Sequence, residues 1–168
     1  MKKLYFLSIC MLFAAINLKG QSQIIVQVSA DEDAQEEFLA GNDRGEGNQD
    51  PGSSDLELGS ENTDGSRPQL VGIRFAGVNI PKGALILGAR IVFTVDEGDK
   101  NADPAQYVIR AQDADNPDSF GAEAFDISSR STLAETVSWD VAAGTWTTDG
   151  ESGPAQTTSD IGALVQAL

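Results

Sequence analysis

"QLVGIRFAGVNIPKGALILGARIVFTVDE" (residues 69–97) reads as two strands around a turn. In its first part Val71, Ile73 and Phe75 alternate with Leu70, Gly72 and Arg74, the period-two pattern of a strand with one face toward a core. Pro81 and Gly83 then interrupt the pattern, as turn residues do. The second part alternates again, with Ile91, Phe93 and Val95 inward and Arg90, Val92 and Thr94 on the other side. Arg74 lies opposite the apolar stripe. A carboxylate from a neighbouring run, Asp55 or Glu57, is expected within salt-bridge distance of it.

The rest of the chain extends the same reading. Residues 23–30, "QIIVQVSA", form a first expected strand, and 36–40 a short second one. Residues 41–54 hold no apolar anchor and read as a long loop. Residues 55–59 alternate cleanly and pair, on this reading, with 69–77 through a long connection. Residues 106–114 put Tyr107, Ile109 and Ala111 on one face, and 136–142 put Trp139 in phase with Val137 and Val141. The period changes only at the end, where Ile161, Leu164, Val165 and Leu168 make a helical stripe behind a Ser159 N-cap, with Asp160 in the first turn. The expected fold class is all-β: an antiparallel sandwich with one short C-terminal helix, as a single domain over residues 23–168. The chain stops on an apolar residue, as expected of a domain whose closing strands are absent.

Residues 1–22 stand apart. A basic start, a short apolar run and a small polar segment are the parts of a secretory signal peptide, so a secreted or cell-surface protein is expected. The chain has no histidine, and its one cysteine, Cys10, lies in that segment. The exported part therefore has no disulfide, no Ser-His-Asp triad, no Cys-His pair and no histidine zinc site. Removing Lys2, Lys3 and Lys19 leaves 8 Lys+Arg against 26 Asp+Glu, a net charge of −18. Such a chain is repelled by nucleic acid and by anionic membrane surfaces, whereas its carboxylates suit calcium.

Residues 69–97 also resemble a pattern of secreted bacterial modules, in which a strand containing "RF" leads to an "IP-x-G-A-x-I" turn and a strand beginning "A-x-I". They look like the jelly-roll modules of the DNRLRE type, which are grouped with carbohydrate-binding modules. "SSDLELG" before the stretch, and "VSW" followed by a helix after it, are similar to the same group. The resemblance implies a jelly roll, a polysaccharide ligand, a structural calcium and attachment to a larger cell-surface protein.

Three sets of residues are candidates for function. Calcium ligands are expected among Asp31, Asp33, Glu36, Asp43, Asp50 and Asp55, although no EF-hand spacing is present. Sugar contacts are expected from Trp146, which lies between threonines near glycines, and from the strand arginines Arg74 and Arg110. Phe75, Phe93 and Trp139 fall in strand phase and are assigned to the core. Carboxylate-pair catalysis needs two placed acids, and no pattern in the chain places them. The expected function is a non-catalytic polysaccharide-binding module. Its rivals are a structural or adhesion unit and a fragment of a secreted glycoside hydrolase.

Overall fold

The computed structural model describes residues 8–9, 21–50, 53–61, 65–98 and 103–168. The expected signal segment, 1–22, lies outside the described residues apart from Ser8–Ile9 and residues 21–22. The protein is β-rich, with strands and loops and one short helix. It divides into two compact units, each assembled from separated parts of the chain.

The first unit holds residues 28–75 and 116–131. A 3-10 turn, Asp31–Asp33, leads into β1, Ala34–Phe38, which pairs antiparallel with β2, Gln69–Ile73. The register sets Gln35 opposite Gly72 and Glu36 opposite Val71. The partner of 69–73 is thus 34–38 and not the alternating run 55–59, which forms no strand. The reason lies in the side chains of β1. Glu36 and Glu37 are each 1% exposed, so each must find donors: Glu57 and Gln69 supply them to Glu36, and Gln49, Ile127 and Ser128 to Glu37. Residues 55–59 are used as a donor loop around Glu36, since the Glu57 backbone N–H binds Glu36 Oε1 at 2.6 Å. Among the described residues of this unit, Phe38 is the one apolar side chain fully buried, beside Asp33, Glu36, Glu37, Asn42 and Gln69.

The 116–131 segment is organised by Arg130. Its guanidinium donates to the carbonyls of Asp118, Ser119 and Asp126, pairs with the Asp126 carboxylate at 2.9 Å, and lies 4.4 Å from the Phe120 ring centre. Phe120 in turn sits over Gly72. A β-carbon at Gly72 would fall 2.6 Å from Phe120 Cζ and 3.1 Å from Ile127 Cδ1. Gly72→Ala is therefore expected to destabilise the protein by about 1–3 kcal/mol, the usual cost of overpacking, measurable by urea denaturation.

The second unit holds residues 76–115 and 132–168, with 21–27 and Ser8–Ile9. Here β3, Ala105–Ile109, pairs antiparallel with β4, Val137–Val141, with Tyr107 opposite Trp139. Ile91–Val92 pairs with Ser8–Ile9 and bridges Thr157. Its core is apolar, made of Ala89, Ile91, Val95, Trp139, Ile161 and Leu164. The expected inward faces Ile91/Val95 and Val137/Trp139/Val141 are the buried or half-buried ones, while Ser138 and Asp140 are exposed. Phe93 stacks on Trp139 at 5.4 Å and 7°, and Tyr107 and Trp146 close on Trp139 at 5.3 and 5.9 Å.

Two further expectations fail. The expected first strand, residues 23–30, does not form despite its β-branched run, and Ile25 is 63% exposed. The helix α1, Gly162–Ala167, takes Ile161 as its N-cap, with no side-chain bond from Ser159. Asp160 does the capping work instead. Its Oδ1 accepts the N–H groups of Gly162 at 2.8 Å and Ala89 at 3.0 Å. Burial pushes that carboxyl upward, but the two N–H groups and the charge of Arg90 outweigh it and hold Asp160 below the usual carboxylate range.

Candidate functional site

An open cleft of about 330 Å³ lies in the second unit. β4 brings Trp139 and Asp140 to it, and the loop after β4 brings Thr145. The 3-10 turn Pro154–Gln156 and the following residues form the opposite wall, with Pro154 and Thr157. Arg90 enters from the residue before Ile91. The walls are set by hydrogen bonds that no sequence pattern announces. Gln156 is fully buried, and its amide donates to the Thr145 carbonyl at 2.7 Å, tying the loop after β4 to the 3-10 turn. Trp146 Nε1 donates to the Ala155 carbonyl at 2.9 Å and braces the same wall.

The chemistry of the cleft is mixed. Arg90 spends one donor on the Thr158 carbonyl at 2.9 Å, and a guanidinium carries five. Exposed Asp140 accepts the Gln106 amide at 2.7 Å and keeps acceptor capacity. Threonine hydroxyls add donors and acceptors, while Pro154 and the 5% of Trp139 left exposed supply apolar surface. Such an arrangement can hold a small neutral polar group by hydrogen bonds over an apolar floor.

The expected site residues do not converge. Trp146 is half-buried within the aromatic cluster, and not exposed on its loop. Arg110 is exposed just past the end of β3. Arg74 belongs to the first unit, where it pairs with Asp33 at 2.6 Å and donates to the Pro117 carbonyl at 2.8 Å. Its carboxylate partner is thus Asp33, and not Asp55 or Glu57. The 3-10 turn carries Asp33 to the start of β1, whose first residue, Ala34, lies opposite Ile73.

The six acids expected to bind calcium are likewise dispersed. Asp33 is held by Arg74, and Asp50 pairs with Arg44. Asp43 binds Arg67 at 2.7 Å, and the hydrogen bond from Arg67 lowers its pKa. Arg44 and Arg67 both also reach Glu61, at 2.5 and 3.3 Å, which makes one network of the loop 41–50 and residue 61. Glu36 is enclosed by Glu57 and Gln69. Asp31 is exposed, and Asp55 accepts the Ser54 hydroxyl at 3.3 Å. Among the described residues no three acidic side chains are grouped to hold a metal ion. Four of these carboxylates, Asp33, Glu36, Asp43 and Asp50, have arginine or amide donors. Arg90 and Asp140 were legible as strand residues on the non-core face, but nothing in the sequence set them beside one cleft.

In comparisons with known proteins, the chain matches no family model, no curated protein and no solved structure.

Proposed function

We propose that this chain is a non-catalytic, extracellular binding module of a bacterial cell-surface or secreted protein, that its ligand is a polysaccharide, and that its fold is an antiparallel jelly-roll sandwich. The observation that carries this reading is the cleft around Arg90, Trp139 and Asp140. A sugar offers apolar CH surface together with hydroxyls that both donate and accept, and the cleft offers the complement of each. Trp146 supports Trp139 from within the cluster.

The hydrolase alternative needs a raised-pKa acid that meets substrate. Burial, reinforced by its hydrogen bond with Glu57, pushes Glu36 up to about 9, but at 1% exposed it meets none. The structural or adhesion alternative draws support from the arginine-pinned loop of the first unit.

A polysaccharide array and titration calorimetry on the full chain, with and without calcium, test the proposal. Binding to at least one polysaccharide is expected. Arg90→Ala is expected to weaken it by about tenfold or more, the loss of one charge-assisted hydrogen bond of about 1.5–3 kcal/mol. Silence across the array in both buffers sinks the binding reading in favour of the structural one. Mass loss from any polysaccharide would overturn the non-catalytic reading.

A further inference from the structure

Residues 82–90 read "KGALILGAR". The sequence is nearly symmetric about Ile86, with leucine on either side, small residues beyond, and a cation at each end. Burial alternates across it: Leu85 is 77% exposed and Leu87 43%, while Ala84 and Ile86 are half-buried. The backbone alternates too. The Ile86 N–H donates to Gln166 Oε1 at 2.8 Å, and the Ala84 carbonyl accepts Gln166 Nε2 at 3.2 Å, so one edge of the segment is clasped by a glutamine of α1. In extended backbone, residues 85 and 87 direct their N–H and C=O groups to the opposite edge. Among the described residues, none of those four groups finds a partner. Beyond the segment, Ala89 and Ile91 bond to Asp160, Ile161 and Thr158, which ends the free edge.

The charge pattern singles out the same place. The full chain carries a net −15, yet no Asp or Glu occurs from Gly65 to Val95. Two copies of so acidic a chain repel each other over most of their surface, whereas this segment carries no carboxylate of its own, and Asp160 beside Gly88 and Ala89 has its charge offset by two N–H groups and by Arg90.

We propose that residues 84–88 are a self-association edge, on which a second copy of this chain lays its own 84–88 segment antiparallel about a two-fold axis at Ile86. In that register Leu85 of one copy faces Leu87 of the other. Both are hydrogen-bonded positions, so four ladder bonds form from the groups now unpaired. The four leucine side chains then lie together on one face, and burying them supplies the apolar contribution. In that register Lys82 of one copy falls opposite Arg90 of the other, and this like-charge pair, with the Pro81 turn, confines the edge to 84–88. The contact is isologous and uses up both edges, so it gives a closed dimer and not a fibre.

Sedimentation equilibrium of the full chain over a wide concentration range tests this. A reversible monomer–dimer equilibrium is expected. Leu85→Lys replaces an exposed side chain and brings like charges together, and Leu87→Pro deletes a ladder donor that bonds to nothing within one copy. Each is expected to abolish the dimer, with an unchanged circular dichroism spectrum as the check on folding. In a Cys10→Ser background, Ile86→Cys is expected to form a covalent dimer under mild oxidation, because a non-hydrogen-bonded pair has Cα atoms about 4.5 Å apart, within disulfide reach. Leu85→Cys, offset from its own copy, is expected to cross-link far more slowly. A wild-type chain that stays monomeric throughout, a dimer that survives in either folded variant, or equal cross-linking of the two cysteine variants would overturn the proposal.

Discussion

Glu36→Gln raises the melting temperature above neutral pH and leaves it nearly unchanged at pH 4. Most substitutions of a fully buried side chain destabilise, so the direction is the test. The Glu36 carboxyl is raised to about 9, first by burial and then by its hydrogen bond and charge repulsion with Glu57. Its ordinary value is 4.5. Between those two pH values the folded protein holds a proton there that the unfolded chain has released. Stability therefore falls as pH rises through that window, and the contribution from this group is fully present only below the unfolded value. Glutamine mimics the protonated form, since its carbonyl can still accept from the Glu57 N–H and the Gln69 amide, and its own NH₂ can donate toward Glu57. The gain at pH 8 is roughly 3–5 kcal/mol, or about 10 °C in melting temperature for a domain of this size. Parallel melts of both proteins from pH 4 to pH 9 check it. Curves that stay equally separated at every pH would show that Glu36 does not titrate as described.

Glu37→Leu destabilises by about 3–5 kcal/mol. Glu37 Oε2 accepts three hydrogen bonds, from the N–H groups of Ile127 at 2.8 Å and Ser128 at 3.1 Å and from the Gln49 amide at 3.1 Å. The side chain is 1% exposed, so leucine of similar bulk leaves donors that water does not readily reach. Each stranded donor costs about 1–3 kcal/mol. The loss is also local. Ile127 and Ser128 lie in the 116–131 segment, whose attachment to β1 runs through this carboxylate. Urea denaturation measures the global cost, and amide hydrogen exchange at residues 127 and 128 is expected to accelerate more than in β3 or β4. Uniform acceleration over the whole chain would show that Glu37 supports the fold generally and does not anchor that segment.

These two glutamates mark where sequence reading stops. The short strand expected at 36–40 forms as Ala34–Phe38 although "AQEEF" has little strand propensity, because the two carboxylates find donors on opposite sides of the strand. "QIIVQV" has high propensity and joins no ladder. In the long loop expected at 41–54, residues 41–50 form no strand but are drawn together by Arg44 and Arg67. Ion pairs between residues 17 or 24 positions apart leave no periodic trace. The candidate cleft is hidden for the same reason: Arg90, Asp140 and Thr157 come from three distant segments.

What the sequence by itself determined is the β-rich class, the strands β3 and β4 with Trp139 inward, and the single helical turn at the end. In all of these, apolar periodicity is the driving term, and it is written residue by residue. Only the tertiary structure decided the partner of β2, the destination of Arg74 and the use of the acids. Those depend on which buried polar group meets which donor, and such a match is settled by the whole folded neighbourhood and not by local spacing.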